Sequence, residues 1–489
     1  MTTQRSPGSD GMPLPKRLIL LLDGTWNNWE SGDNDTNIVR LEDLIAASLA
    51  TDQGLPQGVD AQESTPASPS EAGGKPMVSA FRTKDERENF VYYQRGVGTG
   101  YADRISGGIW GQGLTENIRR AYKFLSFNYT PGDEIFIFGF SRGAYTARSV
   151  IGYVAAAGLL QREHCSRKLE ALAWKYYRTA PADRLPATWT TLTPFVHDRA
   201  QLRIALAGLF DTVGALGVPL ELLRTRNRQK YAFHDVNLSS ITHVNLHAMA
   251  IDEHRKPFGA TIWRKPRFKK YTSKTEQVWF AGAHADIGGG YVSARHRRGT
   301  MALDDIPLDW MMKRVRAHYP DFPLYEEAWG RVVGSEWATA EQHDSRGPLY
   351  KVFRFAFRTV FNIPIGRAGF WKTVVSHDRR DIRIGEHLHI SVIERLGEWV
   401  SLGKGWTSHY RPRNVLRVLK RIQDTYENGK NDDKENILLV DWSGKILLPE
   451  DYGDRSCVIQ ALDASIRRLK LAKVIKSKIP DYAEQPSVA

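Results

Sequence analysis

A serine lies in the pattern Gly-Phe-Ser-Arg-Gly, at Ser141, between an apolar run and an alanine-rich helical pattern. A serine hydroxyl becomes a nucleophile when a base removes its proton and when it stands clear of the backbone. A sharp turn from a strand into a helix presents it in this way, and Gly139 and Gly143 would relieve the crowding. The backbone N–H of Arg142, at the start of the helix, would then stabilise an oxyanion. We interpret Ser141 as a nucleophile; the alternative is an ordinary turn serine.

An acid and a base should follow such a serine along the chain, in that order. Asp211 ends the apolar run RIALAGLFD, and His284 ends the run QVWFAGAH. Each is followed by a turn that contains glycine, so each side chain is expected at the end of a strand. We therefore predict that His284 is the general base and that Asp211 orients it. The alternatives are a capping role for Asp211 and a structural role for His284.

A second loop is expected to complete the oxyanion site. The first apolar run of the chain, LILLLDG, ends at Asp23 and Gly24. We expect the backbone N–H groups of Gly24 and Thr25 to donate to the oxyanion while Asp23 holds the loop in place.

Other ionisable residues compete with these assignments. Asp286 lies two residues after the proposed base, and Asp252 and His254 flank Glu253 in an acidic cluster. We assign Asp286, Asp252 and His254 to the support of the site, with the cluster as an alternative source of the acid or base.

A pair of histidines raises the question of a metal. His243 and His247 are four residues apart, a spacing that could ligate a metal from a helix, but no third ligand is evident. We favour a structural role on a helical face and predict no metal site.

The elements that must position these residues alternate between strands and helices. Apolar runs of strand length precede Asp23, Ser141, Asp211 and His284, and helical patterns separate them. This order predicts an α/β fold with a doubly wound, mostly parallel sheet and an active site along the carboxyl edge of its strands.

The chain divides into three predicted regions. Residues 1–16 have the composition of a disordered tail, and residues 51–80 that of a flexible insertion. We predict one catalytic domain over residues 17–410, with cap elements at about 300–410, and a helical extension over residues 411–489.

Composition restricts the function classes. The chain of 489 residues has a formal net charge of +13 and only two cysteines, so a disulfide framework and a zinc site are not indicated. The sequence contains neither a nucleic-acid-binding motif nor a signal peptide or membrane span, so we expect synthesis in the cytoplasm and no nucleic-acid partner. The predicted chemistry needs no cofactor.

Six segments together resemble a known family. They are LLDGTWN, GQGLTENIRRAYKFL, GFSRGAYTAR, GLFDTVGALG, HAMAIDEHRKPF and WFAGAHADIGGGY. In this order they are similar to the α/β-hydrolase domain of type VI secretion lipase effectors of the first phospholipase class, over about residues 16–315. The resemblance implies Ser141 as nucleophile, Asp211 as orienting acid and His284 as base. It implies hydrolysis of ester bonds in glycerophospholipids and allows a secreted effector; it identifies no immunity or secretion partner.

The reaction predicted from these residues is the hydrolysis of a carboxylic ester through an acyl-enzyme, most simply of a phospholipid. A soluble small-molecule esterase and a non-catalytic interaction protein with a hydrolase fold are the alternatives.

The C-terminal segment ASIRRLKLAKVIKSKI, residues 464–479, alternates basic and apolar residues. Such a helix could lie on an anionic membrane, or it could pack its apolar stripe on the catalytic domain. The sequence favours packing, because terminal helices commonly dock in this way.

Overall fold

The structure is a computed structural model of the full chain. It describes residues 14–24, 35–53, 76–83, 87–96, 107–214, 238–255, 258–264, 272–291, 300–345, 357–361, 384–403, 405–428 and 437–475. The predicted tail lies almost wholly outside these ranges, as does most of the predicted insertion.

Ten strands of the described residues form one sheet, and two more form a separate hairpin. The strands of the sheet are β1 (Arg17–Leu22), β2 (Met77–Arg82), β3 (Glu88–Gln94), β4 (Glu134–Phe140), β5 (Ile204–Phe210), β6 (Thr242–Ala250), β7 (Lys274–Phe280), β8 (Glu386–His389), β11 (Leu439–Val440) and β12 (Ile446–Leu447). The hairpin consists of β9 (Trp399–Ser401) and β10 (Thr407–His409).

The sheet has the strand order β12-β11-β8-β7-β6-β5-β4-β1-β3-β2. All neighbours pair in parallel except β2 with β3 and β11 with β12, at the two edges. The chain leaves β1 toward β3 and then returns to β4 on the other side of β1. This reversal opens a crevice at the carboxyl ends of β1 and β4, where ligands bind in open α/β sheets.

Helices cover both faces of the sheet. They are α1 (Asn37–Gln53), α2 (Gly107–Asn128), α3 (Arg142–Ala157), α4 (Arg167–Arg178), α5 (Pro186–Leu192), α6 (His284–Gly288), α7 (Asp305–His318), α8 (Glu326–Trp329), α9 (Ile390–Arg395), α10 (Arg413–Asn428) and α11 (Tyr452–Ile475). Leu18, Leu20 and Leu22 of β1 pack with α2, α3 and α4, whereas Ile19 and Leu21 pack with α1 and α7. The alternation of side chains along a strand thus supplies two cores.

The α/β prediction, with a doubly wound and mostly parallel sheet, is confirmed. The sheet also continues into regions that we expected to be a cap and a helical extension. β8 lies within residues 300–410, and β11 and β12 lie within residues 411–489. Because β7 pairs with β8 and β8 with β11, a boundary at residue 410 divides strands of one sheet.

The C-terminal helix α11 packs on the rest of the protein. Val458, Leu462 and Leu469 are buried in a third core together with residues of α9 and α10. The Arg468 guanidinium donates hydrogen bonds to the carbonyl oxygens of Leu396 (3.0 Å) and Glu394 (2.6 Å). These contacts favour the packing interpretation of the basic segment, and membrane attachment through it stays a prediction.

Candidate active site

Three strand ends bring the predicted residues together at the carboxyl edge of the sheet. Ser141 lies between β4 and α3, Asp211 follows β5, and His284 begins α6 shortly after β7. All three are buried. Because β4 and β5 are neighbours and β6 separates β5 from β7, residues far apart in sequence converge on one site.

The turn at Ser141 is strained and depends on glycine. Ser141 has φ 57° and ψ −118°, a conformation that L-residues rarely adopt. A Cβ on Gly143 would lie 2.0 Å from the carbonyl oxygen of Leu22, and one on Gly139 would lie 2.7 Å from the carbonyl oxygen of Gly143. The absence of a side chain at Gly143 therefore lets α3 approach the end of β1, and its absence at Gly139 lets α3 approach β4.

A continuous line of hydrogen bonds joins the three side chains. His284 Nε2 lies 2.8 Å from Ser141 Oγ, and His284 Nδ1 lies 2.6 Å from Asp211 Oδ2. With the proton on Nδ1 shared with the carboxylate, Nε2 can accept the serine proton. The arrangement has the geometry of a nucleophile, a base and an orienting acid.

Aromatic rings enclose the imidazole of His284. The ring centroids of Phe140 and Phe258 lie 4.7 Å and 5.2 Å from that of His284. Burial lowers the pKa of His284, and the hydrogen bond to Asp211 and its charge oppose that shift without reversing it. The imidazole is therefore neutral, and able to accept a proton, over a wider pH range than an exposed histidine.

Asp211 is held by an arginine that sequence reasoning missed. Arg358 Nη1 donates to Asp211 Oδ1 (2.5 Å), and Arg358 Nη2 donates to Asp211 Oδ2 (2.9 Å). The backbone N–H of Ala250 also donates to Oδ1, at 3.0 Å. Burial raises the pKa of the Asp211 carboxyl, but the Arg358 charge and the His284 hydrogen bond lower it by more, so Asp211 is ionised. No local pattern marks Arg358, which lies 147 residues from its partner.

The structure describes two of the three residues whose backbone N–H groups were predicted to stabilise the oxyanion. Arg142 is the first residue of α3, so its backbone lies at the helix N-terminus directly after Ser141. The Gly24 N–H donates to Asp23 Oδ1 at 2.6 Å, so this amide is already engaged, which the sequence did not indicate. Thr25 lies outside the described residues. The oxyanion role of all three stays a prediction.

Asp23 forms the bonds of a loop support. Its Oδ1 also accepts from the Thr36 hydroxyl (2.9 Å), and its Oδ2 accepts from the Tyr93 hydroxyl (2.9 Å). These bonds join the end of β1 to the start of α1 and to β3.

Asp286 is bonded to groups other than the imidazole of His284. Its Oδ2 accepts from the backbone N–H of Ala283 (2.9 Å), and its Oδ1 lies 2.7 Å from Nδ1 of His343. The His343 ring stacks on Tyr291 with centroids 4.2 Å apart. Asp286 thus fixes the turn before His284 through the Ala283 N–H. It is itself held by His343, a histidine that the sequence analysis did not single out.

The acidic cluster after β6 also supports the turn at His284. Asp252 Oδ2 accepts from the Gly282 N–H and the Tyr410 hydroxyl, both at 2.8 Å, and burial raises its pKa to about 6. Glu253 pairs with Arg255. His254 packs edge-on against Phe357, with ring centroids 5.2 Å apart.

The histidine pair lies on a strand, so the helical interpretation was wrong. His243 and His247 both belong to β6. His247 Nε2 accepts from the Thr212 N–H at 3.1 Å and so buttresses the turn after Asp211. Burial lowers the pKa of His247 to about 3, which keeps it neutral and able to accept. Within the described ranges, no three His, Cys, Asp or Glu side chains are placed to hold a metal ion.

Residues 16–314, more than half of the chain, match a family described as "T6SS, Phospholipase effector Tle1-like, catalytic domain". The chain belongs to this family. The family resemblance stated from the sequence is thereby confirmed. Arg358 and His343 both lie beyond the matched residues.

Individual relatives are more distant. The "Uncharacterized protein YEL023C" of Saccharomyces cerevisiae is 29% identical over 204 residues, which cover 37% of this chain and 28% of that protein. The chain thus spans less than a third of this curated relative.

Two solved structures are also similar. One is the crystal structure of an uncharacterized protein from Pseudomonas aeruginosa, with 16% identity, a TM-score of 0.30, and coverage of 66% of this chain and 48% of that chain. The other is the Tle1 effector bound to the VgrG spike of the type 6 secretion system, with 19% identity, a TM-score of 0.27, and coverage of 59% and 56%. Such TM-scores support no detailed comparison.

Within the described residues, no helix is both long enough and apolar enough to cross a bilayer.

Proposed function

We propose that the protein is a serine hydrolase that cleaves carboxylic ester bonds of phospholipids. One observation carries the proposal: Ser141, His284 and Asp211 form an unbroken line of hydrogen bonds at the carboxyl edge of the sheet, with separations of 2.8 Å and 2.6 Å. Family membership supports the phospholipid as the substrate class.

The first half of the proposed reaction acylates the serine. Ser141 Oγ attacks the ester carbonyl carbon while His284 Nε2 accepts its proton. The negative charge that develops on the carbonyl oxygen faces the N-terminus of α3, where the Arg142 N–H is placed to stabilise it. When the carbonyl re-forms, the bond to the alcohol breaks and Nε2 returns the proton to the departing oxygen.

The second half releases the acyl group. A water molecule replaces the alcohol, His284 removes its proton, and the same tetrahedral steps yield a free fatty acid and regenerate Ser141. Asp211 stays ionised throughout and stabilises the imidazolium that forms twice in each cycle.

A fluorophosphonate probe and a substrate panel test the proposal. The purified protein should be labelled at Ser141 and should release fatty acid from phospholipids. Ser141→Ala should lose labelling and turnover while keeping the wild-type melting temperature, because the alanine retains the Cβ of the turn.

The two buried histidines near the site provide a matched pair of variants. His284→Ala should lower kcat by orders of magnitude, since only binding and oxyanion effects would remain. His254→Ala, which loses the ring contact with Phe357, should act mainly on stability.

The alternatives are separate outcomes of these assays. Hydrolysis of short soluble esters without phospholipid cleavage would identify a small-molecule esterase. An unlabelled wild-type protein without hydrolysis would favour the non-catalytic interaction protein. If His254→Ala were inactive and His284→Ala nearly normal, the base would belong to the acidic cluster.

A further inference from the structure

We infer that Arg358 is a positioning residue of the active site: it fixes Asp211 by a two-point ion pair and, by sharing its charge, sets the pH above which His284 acts as a base. The inference rests on the proposed function, because it concerns the same serine, histidine and aspartate.

Arg358 forms a two-point ion pair with Asp211. Nη1 and Nη2 of Arg358 each donate to a different oxygen of Asp211, so the plane of the carboxylate is fixed. Nη1 also donates to the carbonyl oxygen of Ala250 (2.9 Å), and Nη2 donates to that of Phe258 (2.5 Å). The guanidinium is thus bonded both to the Asp211 carboxylate and to the carbonyl oxygens of Ala250 and Phe258. The Asp211 carboxylate cannot rotate without breaking its hydrogen bonds to Arg358.

The backbone around Arg358 is itself anchored. The Asn414 side-chain amide donates to the carbonyl oxygens of Ile251 (3.0 Å) and Arg358 (3.4 Å), which ties the segment to the end of β6. The Phe361 N–H donates to Glu386 Oε1 at 2.8 Å, at the start of β8. The arginine therefore reaches Asp211 from a segment that is fixed at both ends.

Asp211 combines an uncommon backbone conformation with a carboxylate that is bonded mainly to side chains. It has φ 37°, a conformation that non-glycine residues adopt rarely. Of the backbone N–H groups in the described residues, that of Ala250 donates to its carboxylate. Within the described residues, the other donors to the carboxylate are the side chains of His284 and Arg358, which share Oδ2.

Sharing the carboxylate has a consequence for the base. An ionised Asp211 favours the protonated imidazole, whereas the fixed positive charge of Arg358 on the same carboxylate opposes it. A neutral residue at position 358 would leave the full negative charge to His284. The imidazole would then hold its proton to a higher pH, and the acidic limb of activity would move upward.

The other charged groups around His284 compensate one another. Glu253 Oε2 lies 3.4 Å from the His284 backbone N, and Arg255 donates to both oxygens of Glu253. Burial lowers the pKa of His284 and the Asp211 carboxylate opposes this, while Arg255 lowers that pKa and Glu253 raises it.

The remaining carboxylates next to the turn at His284 are bonded to groups other than its imidazole. Asp286, on the same helix as His284, is bonded to the Ala283 N–H and to His343. Asp252 is bonded to Gly282 and Tyr410. Replacement of Arg358 therefore changes the net charge that the Asp211 carboxylate and its partner present to His284.

The test compares Arg358→Met with Arg358→Lys. Methionine removes the charge and the guanidinium but keeps an unbranched apolar stem, whereas lysine keeps the charge and loses the two-point geometry. We expect the acidic limb of kcat/KM, and of the rate of fluorophosphonate labelling at Ser141, to move up by about one pH unit in Arg358→Met. Arg358→Lys should keep the wild-type limb but lose at least about tenfold in kcat, because Asp211 is less well oriented.

Arg314→Gln is the matched control. Arg314 also forms a two-point ion pair, with Glu276 Oε2 (2.8 Å) and Oε1 (2.6 Å), but near the opposite end of β7 from His284. Its loss should lower the melting temperature without moving the acidic limb.

The outcomes separate the inference from the proposed function. If Arg358→Met is slower but has the wild-type acidic limb, Arg358 is merely structural and the inference is wrong. If Arg358→Met does not fold, Arg358→Gln, which is also neutral, takes its place: an acidic limb moved upward supports the inference, and a wild-type limb in Arg358→Gln or a shifted limb in Arg358→Lys overturns it. If the wild type is labelled at Ser141 but hydrolyses no ester, the proposed function fails while the labelling profile still decides the role of Arg358.

Discussion

Replacement of Gly143 by alanine tests whether the strained turn depends on the close approach of α3 to β1. The new Cβ would lie 2.0 Å from the Leu22 oxygen, 2.5 Å from the Leu22 carbon and 2.7 Å from the Asp23 oxygen. Ordinary contact begins at 3.4 Å, so the two backbones must separate by up to 1.4 Å (3.4 minus 2.0). All three atoms belong to the main chain at the end of a buried central strand, and no side-chain rotation relieves the clash.

This displacement decides whether Gly143→Ala raises or lowers the stability of the protein. Alanine in place of glycine inside a helix stabilises it by about 1 kcal/mol. Forced overpacking costs about 1–3 kcal/mol, so a net loss of stability is expected. The effect on activity should be larger. Ser141 moves with α3, and a shift of about 1 Å breaks a hydrogen bond of 2.8 Å to His284 and costs about 100-fold in rate.

The assay combines three measurements on Gly143→Ala. Hydrolysis of a short chromogenic ester gives kcat/KM, fluorophosphonate labelling gives the reactivity of Ser141, and circular dichroism gives the melting temperature. Gly259→Ala is the control, because a Cβ there meets no atom of the described residues within 4 Å. We expect kcat/KM and labelling to fall together in Gly143→Ala and to be unchanged in the control. Near-normal activity together with an unchanged melting temperature would show that the turn does not need this glycine.

Two further changes test neighbouring parts of the argument. Asp211→Asn should lower kcat by about 10⁴-fold, because His284 loses its orienting acid, and should cost about 3–5 kcal/mol of stability, because Arg358 keeps a buried charge without a counter-ion; a urea unfolding curve that matches the wild type would contradict the ion pair. Removal of residues 464–489 should lower the melting temperature, since Leu469 and Arg468 leave their contacts with α9 and the segment after it. An equally stable truncated protein that no longer co-sediments with phosphatidylglycerol vesicles would instead favour the membrane interpretation.

The parts of the site that could be predicted from sequence are those with a local signature. An apolar run that stops at a polar residue marks the end of a buried strand, and parallel strands bring such ends to one edge. Ser141, Asp211 and His284 each follow such a run, and the structure brings the three together.

The residues that were missed have no local signature. Arg358 and His343 reach the site from segments without regular structure, and tertiary contacts alone define their partners. His247 shows a different difficulty. A spacing of four residues places two side chains on the same face of a strand as well as of a helix, so the spacing of His243 and His247 could not decide between them.

The residues beyond position 314 are part of the same folding unit as the matched catalytic domain. Four buried carboxylates at the strand ends each receive a partner from the later segment: Asp211 from Arg358, Asp286 from His343, Asp252 from Tyr410 and Glu253 from Ser345. A buried charge that loses its partner costs about 3–5 kcal/mol, against a total stability of about 5–15 kcal/mol for a typical domain. The matched region alone would lack these four partners, and Asp211 and Asp286 would lose their ion pairs with Arg358 and His343. The later segment is therefore a structural requirement of the active site, although the nucleophile, the base and the orienting acid all precede it.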